Sequence, residues 1–431
     1  MSNLKKSLTP TLLWGLGVGY VISGMYFGWN LGLEKGGTLG MALATLAIIV
    51  MYVCFSLSYA ELACAIPKAG GAFDYTNRAM GKNWGFIAGM AQNIEFIFAP
   101  PAIAVGIGAY INGILPQFSI TQIAIFAYLL FTFLNILGAK LAATFELLIT
   151  VFAILGLILF AFVAIPHFKF DNLEITNLNK GFSGAFACLP FAIWFFLGIE
   201  GLANVAEESI HPQKDITWGF GSAMATLVLL CILTFTVSVG VDGWQSIVYK
   251  ADGSITDSPL PMALSKIMGD KSLIYQILVA IGTCGLVASF HGLVLASGRS
   301  VYEFGKMGNA PRFLGNINER FRTPSNALIA NMVIGIIALL SNSTAEIITL
   351  SVFGALVMYI LAMVSLVILR KSEPELQRPF KTPFYPTSTY LALIIASIAL
   401  IAMIIYNLKL ALIFFGVLVG TFVLFKIIIR K

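Results

Sequence analysis

The chain has 431 residues, of which 58% are hydrophobic and 11% charged. A soluble domain carries roughly 25% charged residues, so this sequence lacks the polar surface that a water-soluble fold requires. Its formal charge of +6 is scattered over many short segments and forms no single stripe, which argues against a nucleic-acid partner.

Apolar runs between polar breaks predict twelve membrane-crossing helices, near residues 12–33, 38–66, 83–112, 119–137, 141–165, 183–206, 215–240, 272–298, 325–341, 345–369, 387–406 and 409–429. A crossing helix needs about 20 apolar residues, and none of these runs shows the alternation of a barrel strand. The expected fold is an all-α integral membrane protein. Lys5 and Lys6 ahead of the first run resemble the start of a signal peptide. The run is too long for one and no small-residue cleavage site follows, so it is expected to stay as the first helix.

The basic residues set the orientation. With the N-terminus inside, nineteen of the 26 lysines and arginines fall in cytoplasmic segments and seven outside, so both termini are expected in the cytoplasm of a cell in whose inner membrane the chain resides. Cys54, Cys64, Cys188, Cys231 and Cys284 all lie in apolar runs without a short paired spacing and read as small buried hydrophobes. The histidines are His167, His211 and His291. The sequence has no zinc or haem spacing, no phosphate-binding glycine loop and no nucleophile elbow, so neither a metal nor an enzymatic activity is expected, and no cofactor beyond a coupling ion.

The first run contains GVGYVISGMYFG (17–28), with four glycines and a serine. Glycine inside a helix costs about 1 kcal/mol relative to alanine. Two readings compete: a packing face where small residues let helices approach, or a broken helix whose freed backbone holds a ligand. LPFAIWFFLGIEGLANVAEE (189–208) in the sixth run places Gly198, Glu200 and Gly201 in similarly apolar surroundings. The two runs are five apart and so enter from opposite sides, as inverted repeats with a midplane site require. Opposed half-helix ends would offer amides to an anion and carbonyls to an ammonium.

At these residues the sequence resembles the amino acid–polyamine–organocation transporter superfamily. ISGMYFG is similar to the first-helix pattern of such carriers, PKAGGAFDY (67–75) to the loop after the second helix, WFFLGIEGLANVAEE (194–208) with His211-Pro212 to the sixth helix and its exit, and GRSVYEFGKMGNAP with FRTP to the loop after the eighth. Within the superfamily, YFGWNLGL, NIEF, FELLITVFAI, PFAIWFFLGIEG, ASFHG and EPELQRPFKTPFYP resemble bacterial ethanolamine permeases. The resemblance implies a LeuT-like core of five plus five inverted helices, discontinuous in helices 1 and 6. The corresponding division is 1–11 as N-terminal segment, 12–165 and 183–369 as the repeats, and 387–431 as two accessory helices with a short tail. It implies import of a small amine or amino acid. Met25 stands where relatives often carry an acid, which makes that position more apolar.

On this footing the expected substrate-binding residues are Ile22, Ser23, Gly24 and Met25 of the first helix, Glu95 of the third, and Trp194, Leu197 and Gly198 of the sixth. For the glycine-rich stretch the competing role is packing. For Trp194 the expected contact is an aromatic lid, including a cation–π contact to an ammonium. Glu95, Glu200 and His291 are the candidates for proton coupling or gating, because an intramembrane carboxyl must pair or be protonated and histidine titrates near neutrality. Each could equally be structural: Glu95 a hydrogen-bonded acid, Glu200 a cap on freed amides, His291 a satisfied interior donor. Glu146 is a weaker candidate of the same kind, and Glu61 reads as structural.

Proton symport is the expected mode, with sodium as the alternative ion. Sodium would need first-helix carbonyls and eighth-helix hydroxyls, where Ser289 stands without an adjacent Thr or Ser. The fifth-helix lysine of some proton-coupled relatives is replaced here by Ala153. An ethanolamine permease proper and an amino acid exchanger are the nearer alternative functions, and an ion channel the remote one. Lipid is the expected surrounding, and an oligomer is compatible with the sequence but not required.

Overall fold

The computed structural model describes Lys6 and residues 8–428, except 138, 176, 177, 179 and 342. Lys5, Arg430 and Lys431 of the charge pattern lie outside the described residues. The helices are α1 (Pro10–Val21), α2 (Ser23–Tyr26), α3 (Asn30–Ala65), α4 (Ala72–Met80), α5 (Lys82–Asn112), α6 (Ile120–Leu137), α7 (Ala139–Ala164), α8 (Gly181–Ala187), α9 (Leu189–Trp194), α10 (Pro212–Asp242), α11 (Pro259–Met268), α12 (Leu273–Lys306), α13 (Ser325–Leu339), α14 (Thr344–Ser372), α15 (Thr387–Tyr406) and α16 (Leu408–Ile428). A 3₁₀ helix, Ile199–Glu208, follows α9.

Among the described residues, ten helical segments are long and apolar enough to cross a membrane. The remaining two apolar runs are α13, at 15 residues, and the interrupted first run, which is divided between α1, α2 and the start of α3. Gly37, with φ 64° and ψ −172°, breaks α3 into a first part, 30–36, and a long second part, 38–65. Only a residue without Cβ adopts that backbone cheaply.

Burial sorts the helices into a centre and a rim. In their most apolar windows α5, α14 and the 181–208 segment are 72% buried, whereas α16 is 28% and α6 and α15 are each 39% buried. Leu229 of α10, Phe162 of α7, Ile405 of α15 and Leu412 of α16 are exposed large apolar side chains on outward faces, as lipid contact requires. The inward faces of the helices, those of the rim included, hold the polar residues that a lipid-facing surface could not carry: Glu95, Glu146, Glu200, His291, Asn135 and Gln92 are all buried.

Candidate functional site

The first run is irregular at two points. Around Ile22 the hydroxyl of Ser289 from α12 enters the backbone ladder, donating to the Gly19 carbonyl at 2.6 Å and accepting from the Ser23 amide at 2.8 Å. Those two backbone groups would otherwise bond each other, and a side chain inserted between them is a standard cause of a helix distortion. Helical backbone then ends at Tyr26. Phe27 is extended and Gly28 has φ 88°. Gly24 sits in the four-residue helix α2 between these two points, so the sharper interruption falls one turn beyond it, at Phe27–Gly28.

The carbonyls and amides released at that interruption find side-chain partners. Met25 O accepts from Trp29 Nε1 at 3.2 Å, Tyr26 O from the Tyr110 hydroxyl at 2.7 Å, and Phe27 O from Trp194 Nε1 at 3.1 Å. The Gly28 amide donates to Asn30 Oδ1 at 3.1 Å. Irregular backbone at membrane depth persists only where its polar groups are met in this way.

The sixth run breaks opposite. After α9 the chain passes through a turn to Gly198, whose φ of 104° lies in the left-handed region. A Cβ there would also stand 3.1 Å from the Tyr20 carbonyl of α1, and a Cβ on Gly24 would collide with the Trp194 carbonyl. The two interruptions are thus packed backbone to backbone and tied by the Trp194–Phe27 bond. Met25, Ile22, Ser23, Trp194 and Leu197 are buried between them. Trp194, expected as a lid, spends its N–H on Phe27 and sets its ring edge-on to the Phe27 ring at 5.7 Å.

Glu95 of α5 and Glu200 of the 3₁₀ helix come together as neighbouring, fully buried carboxyls. Glu200 Oε2 accepts from the Tyr359 hydroxyl at 2.8 Å, which lies 3.0 Å from the Tyr52 hydroxyl, and the carboxyl rests over the amides of Gly198 and its own residue. Beyond the contact between the two acids themselves, no other side chain among the described residues donates to either oxygen of Glu95 or to Oε1 of Glu200. The Glu95 main chain is held instead: its carbonyl accepts from Ser351 at 2.9 Å, and Gly354 of α14 lets the two backbones meet.

His291 is not part of that pair. It lies on α12 against α7, where Nδ1 is 3.0 Å from Glu146 Oε2, both side chains being almost fully buried. The rings of Phe131 and Phe145 stand edge-on to it, and Asn135 donates to its backbone carbonyl at 3.3 Å. Gly19 of α1 packs on Glu146 so closely that a Cβ would meet Oε1 at 2.5 Å. The His291–Glu146 pair therefore touches α1 at the same residue whose carbonyl Ser289 holds. Ala153 contributes its carbonyl, which accepts from the Tyr26 hydroxyl at 2.6 Å.

Polar and aromatic contacts bridge the helices on both sides of this region. At one end Asn204 donates to Ala69 O at 2.8 Å, Glu207 accepts from the Ala69 amide at 3.2 Å, and Glu208 pairs with Arg299 at 2.6 Å. At the other, Asn30 donates to Thr256 O at 2.9 Å and Trp29 stacks on Phe195 at 5.5 Å. Sequence reading named neither Tyr52, Tyr359 nor the partnership of Glu146 with His291. The local signal for the last was two polar residues in apolar runs 145 residues apart, with nothing to pair them.

Apolar helices enclosing irregular backbone met by side-chain partners, with buried carboxyls beside it, are the construction of a multi-pass membrane transporter. A family model described as amino acid permease matches residues 11–425, and the chain belongs to that family. It is similar to an uncharacterized transporter of Rhizobium meliloti, at 26% identity over 93% of this chain and 87% of the relative. It is 25% identical to the branched-chain amino acid permease BcaP of Bacillus subtilis over 91% of this chain and 87% of that protein. It is 24% identical to the serine/threonine exchanger SteT of Bacillus subtilis over 91% and 90% of the two chains. The protein is a membrane transporter and not an enzyme.

Proposed function

We propose that the chain imports a small amine or amino acid across the cell membrane by alternating access around the interrupted first and sixth segments. The observation that carries this reading is the backbone-to-backbone packing of the two interruptions, Gly24 on Trp194 O and Gly198 on Tyr20 O, beside the buried Glu95 and Glu200. Two rigid halves hinged on such a junction can open to one side while the other stays closed. The bridges at Ala69–Asn204 and Asn30–Thr256 supply contacts that would break in turn. The names of the relatives, a branched-chain amino acid permease and a serine/threonine exchanger, favour an amino acid or its close chemical kin as cargo.

In this reading twelve segments cross the membrane, with 12–165 and 183–369 as inverted repeats, 387–431 as an accessory pair and both termini cytoplasmic. Ile22, Ser23, Gly24, Met25, Glu95, Trp194, Leu197 and Gly198 surround the substrate. The proton is the coupling ion, and the His291–Glu146 pair is suited to hold it: with one proton the pair is neutral overall, and it touches α1 beside the Ser289 wedge. Sodium is less favoured because the Ser289 hydroxyl already serves Gly19 and Ser23.

The test is uptake by purified protein in liposomes carrying an imposed pH gradient, across a panel of amines and amino acids including ethanolamine. Saturable uptake that collapses with the gradient supports the reading. Flux without a gradient, and only against an internal amino acid, would make it an exchanger. Unitary currents in a planar bilayer would make it a channel.

A further inference from the structure

We propose that the hollow between the start of α10 and the connector from α14 to α15 binds an anionic phospholipid of the surrounding leaflet. Lys214 and Lys381 hold its phosphate, and an acyl chain lies along the α10 face at Trp218 and Gly221. The inference does not depend on the transport reading above.

Three crossing helices have an end here: α10 begins at Pro212, α14 finishes at Ser372 and α15 begins at Thr387. Lys214, Trp218, Gly221 and Ser222 follow one another at the spacing of a single helix face. That face is open. Trp218 is 61% exposed, Lys214 and Gly221 are exposed beside it, and a Cβ on Gly221 would meet nothing within 4 Å. Pro379 and Phe380 of the connector form the opposite wall of a hollow of about 740 Å³. A second hollow, of about 540 Å³, meets it at Pro379 and is lined by Arg370, Arg378 and Lys381. An aromatic groove thus runs into a cationic one at the end of the membrane-crossing bundle, where tryptophan commonly marks the boundary of lipid and water.

Charge decides the occupant. Elsewhere in the chain basic side chains are answered by acids: Arg78 by Glu373, Arg299 by Glu208, Lys306 by Glu303. Among the described residues Lys214 and Lys381 form no such pair. Asp215, next to Lys214, is buried and accepts from the Ser209 hydroxyl and the His211 amide instead. Arg370 and Arg378 share the one carboxylate of Glu61, which leaves positive charge in surplus. Arg378 also donates to the carbonyls of Leu369 and Leu376, so the arginines contribute field and the lysines contribute bonds. Glu375, the other acid of the connector, lines neither hollow. A soluble anion would leave the α10 groove unfilled, and a lipid without net charge would leave the lysines unanswered. A phosphatidyl anion meets both.

The experiment titrates purified full-length protein in a neutral detergent with dioleoylphosphatidylglycerol or dioleoylphosphatidylcholine, read by native mass spectrometry, with inorganic phosphate as a third probe. Each lysine near an anionic lipid surface is worth about fivefold in binding. Lys214→Gln combined with Lys381→Gln should therefore weaken phosphatidylglycerol by about thirtyfold and leave the weaker phosphatidylcholine binding unchanged. Gly221→Leu fills the groove without touching charge, and should cost about fourfold for each methylene of the chain that it displaces. All three positions are exposed, so the lipid-free melting temperatures should match the wild type and certify folding. Should Gly221→Leu not fold, the lysine pair decides alone. Phosphatidylcholine binding as tightly as phosphatidylglycerol overturns the inference, as does phosphatidylglycerol binding that survives the lysine substitutions or an intact affinity in folded Gly221→Leu. Inorganic phosphate that displaces the lipid and raises the melting temperature as far would make this a site for a soluble anion, and overturns it too. No readout here uses flux, so the transport reading stands or falls separately.

Discussion

Glu61 and the Glu95–Glu200 pair are equally buried and could hardly be more differently served. Glu61, near the end of α3, accepts from Arg370 through Nε and Nη2, both at 2.7 Å, and from the Thr382 amide and hydroxyl, both at 2.7 Å, with Arg378 Nε 3.3 Å away. Arg370 in turn lies over the Tyr385 ring at 4.2 Å. One carboxylate thereby pins the segment between α14 and α15 to the bundle. Glu95 meets no cation among the described residues, and its side-chain partner is the Glu200 carboxyl. A buried acid with a full set of cationic and neutral donors is a structural fastening, and one whose side chain meets only another acid ties no segment down in that way.

That contrast can be broken by substitution. Glu61→Ala should be the most damaging change, because it strands two buried or half-buried guanidinium groups. Removing one partner of a buried pair costs about 3–5 kcal/mol, so thermal unfolding in detergent should occur well below the wild-type temperature, with uptake per folded molecule little altered. A small shift would mean that the clamp is not a fastening.

Asp257 offers an intermediate case outside the crossing segments. It has one close donor, the Thr344 hydroxyl at 3.2 Å, and burial pushes its carboxyl up to about 6, partly offset by that bond and by Lys250. An acid raised in this way binds its proton more readily in the folded than in the unfolded chain. Its burden on stability is therefore small at pH 4, grows as pH rises between about 4 and 6, and is complete above that. Asp257→Asn should raise the unfolding temperature at pH 7, by at most about 3 kcal/mol of stability, and change it far less at pH 4. An equal effect at both pH values would contradict the assignment.

Gly198→Ala tests the junction that positions Glu200. A non-glycine residue at a φ of 104° costs about 1–3 kcal/mol, and the added Cβ presses on Tyr20 O. A modest loss of stability with a larger loss of substrate affinity is expected, read from melting curves with and without ligand. Smallest in stability should be Glu95→Gln. An amide needs no counter-ion, so stability should stay within about 1 kcal/mol of wild type or rise. If it falls as far as Glu61→Ala, Glu95 is a fastening after all.

The crossing helices were legible because lipid selects on length and apolarity. The reading of 387–406 coincides with α15, that of 38–66 nearly coincides with the part of α3 beyond Gly37, and that of 83–112 with α5. The interruptions were legible as glycine and acid in apolar runs. Their detail was not. The first breaks most sharply at Phe27–Gly28, where the Trp29, Tyr110 and Trp194 donors take the freed carbonyls, and two of those donors are more than 80 residues away along the chain. The same distance hid Tyr359 from Glu200 and Glu146 from His291. Hydropathy reports how far a helix runs through lipid; a hydrogen bond between remote helices leaves no periodic trace.

The central claim is that this permease moves its cargo through the junction of the first and sixth segments, beside the buried Glu95 and Glu200. Counterflow tests it most directly: liposomes preloaded with unlabelled lysine or ethanolamine are diluted into a trace of the same labelled compound, with no ion gradient imposed. The account predicts a transient internal overshoot of label with the wild-type protein and none with Glu95→Gln or Glu200→Gln at equal reconstituted amounts. A full overshoot from both variants would contradict it.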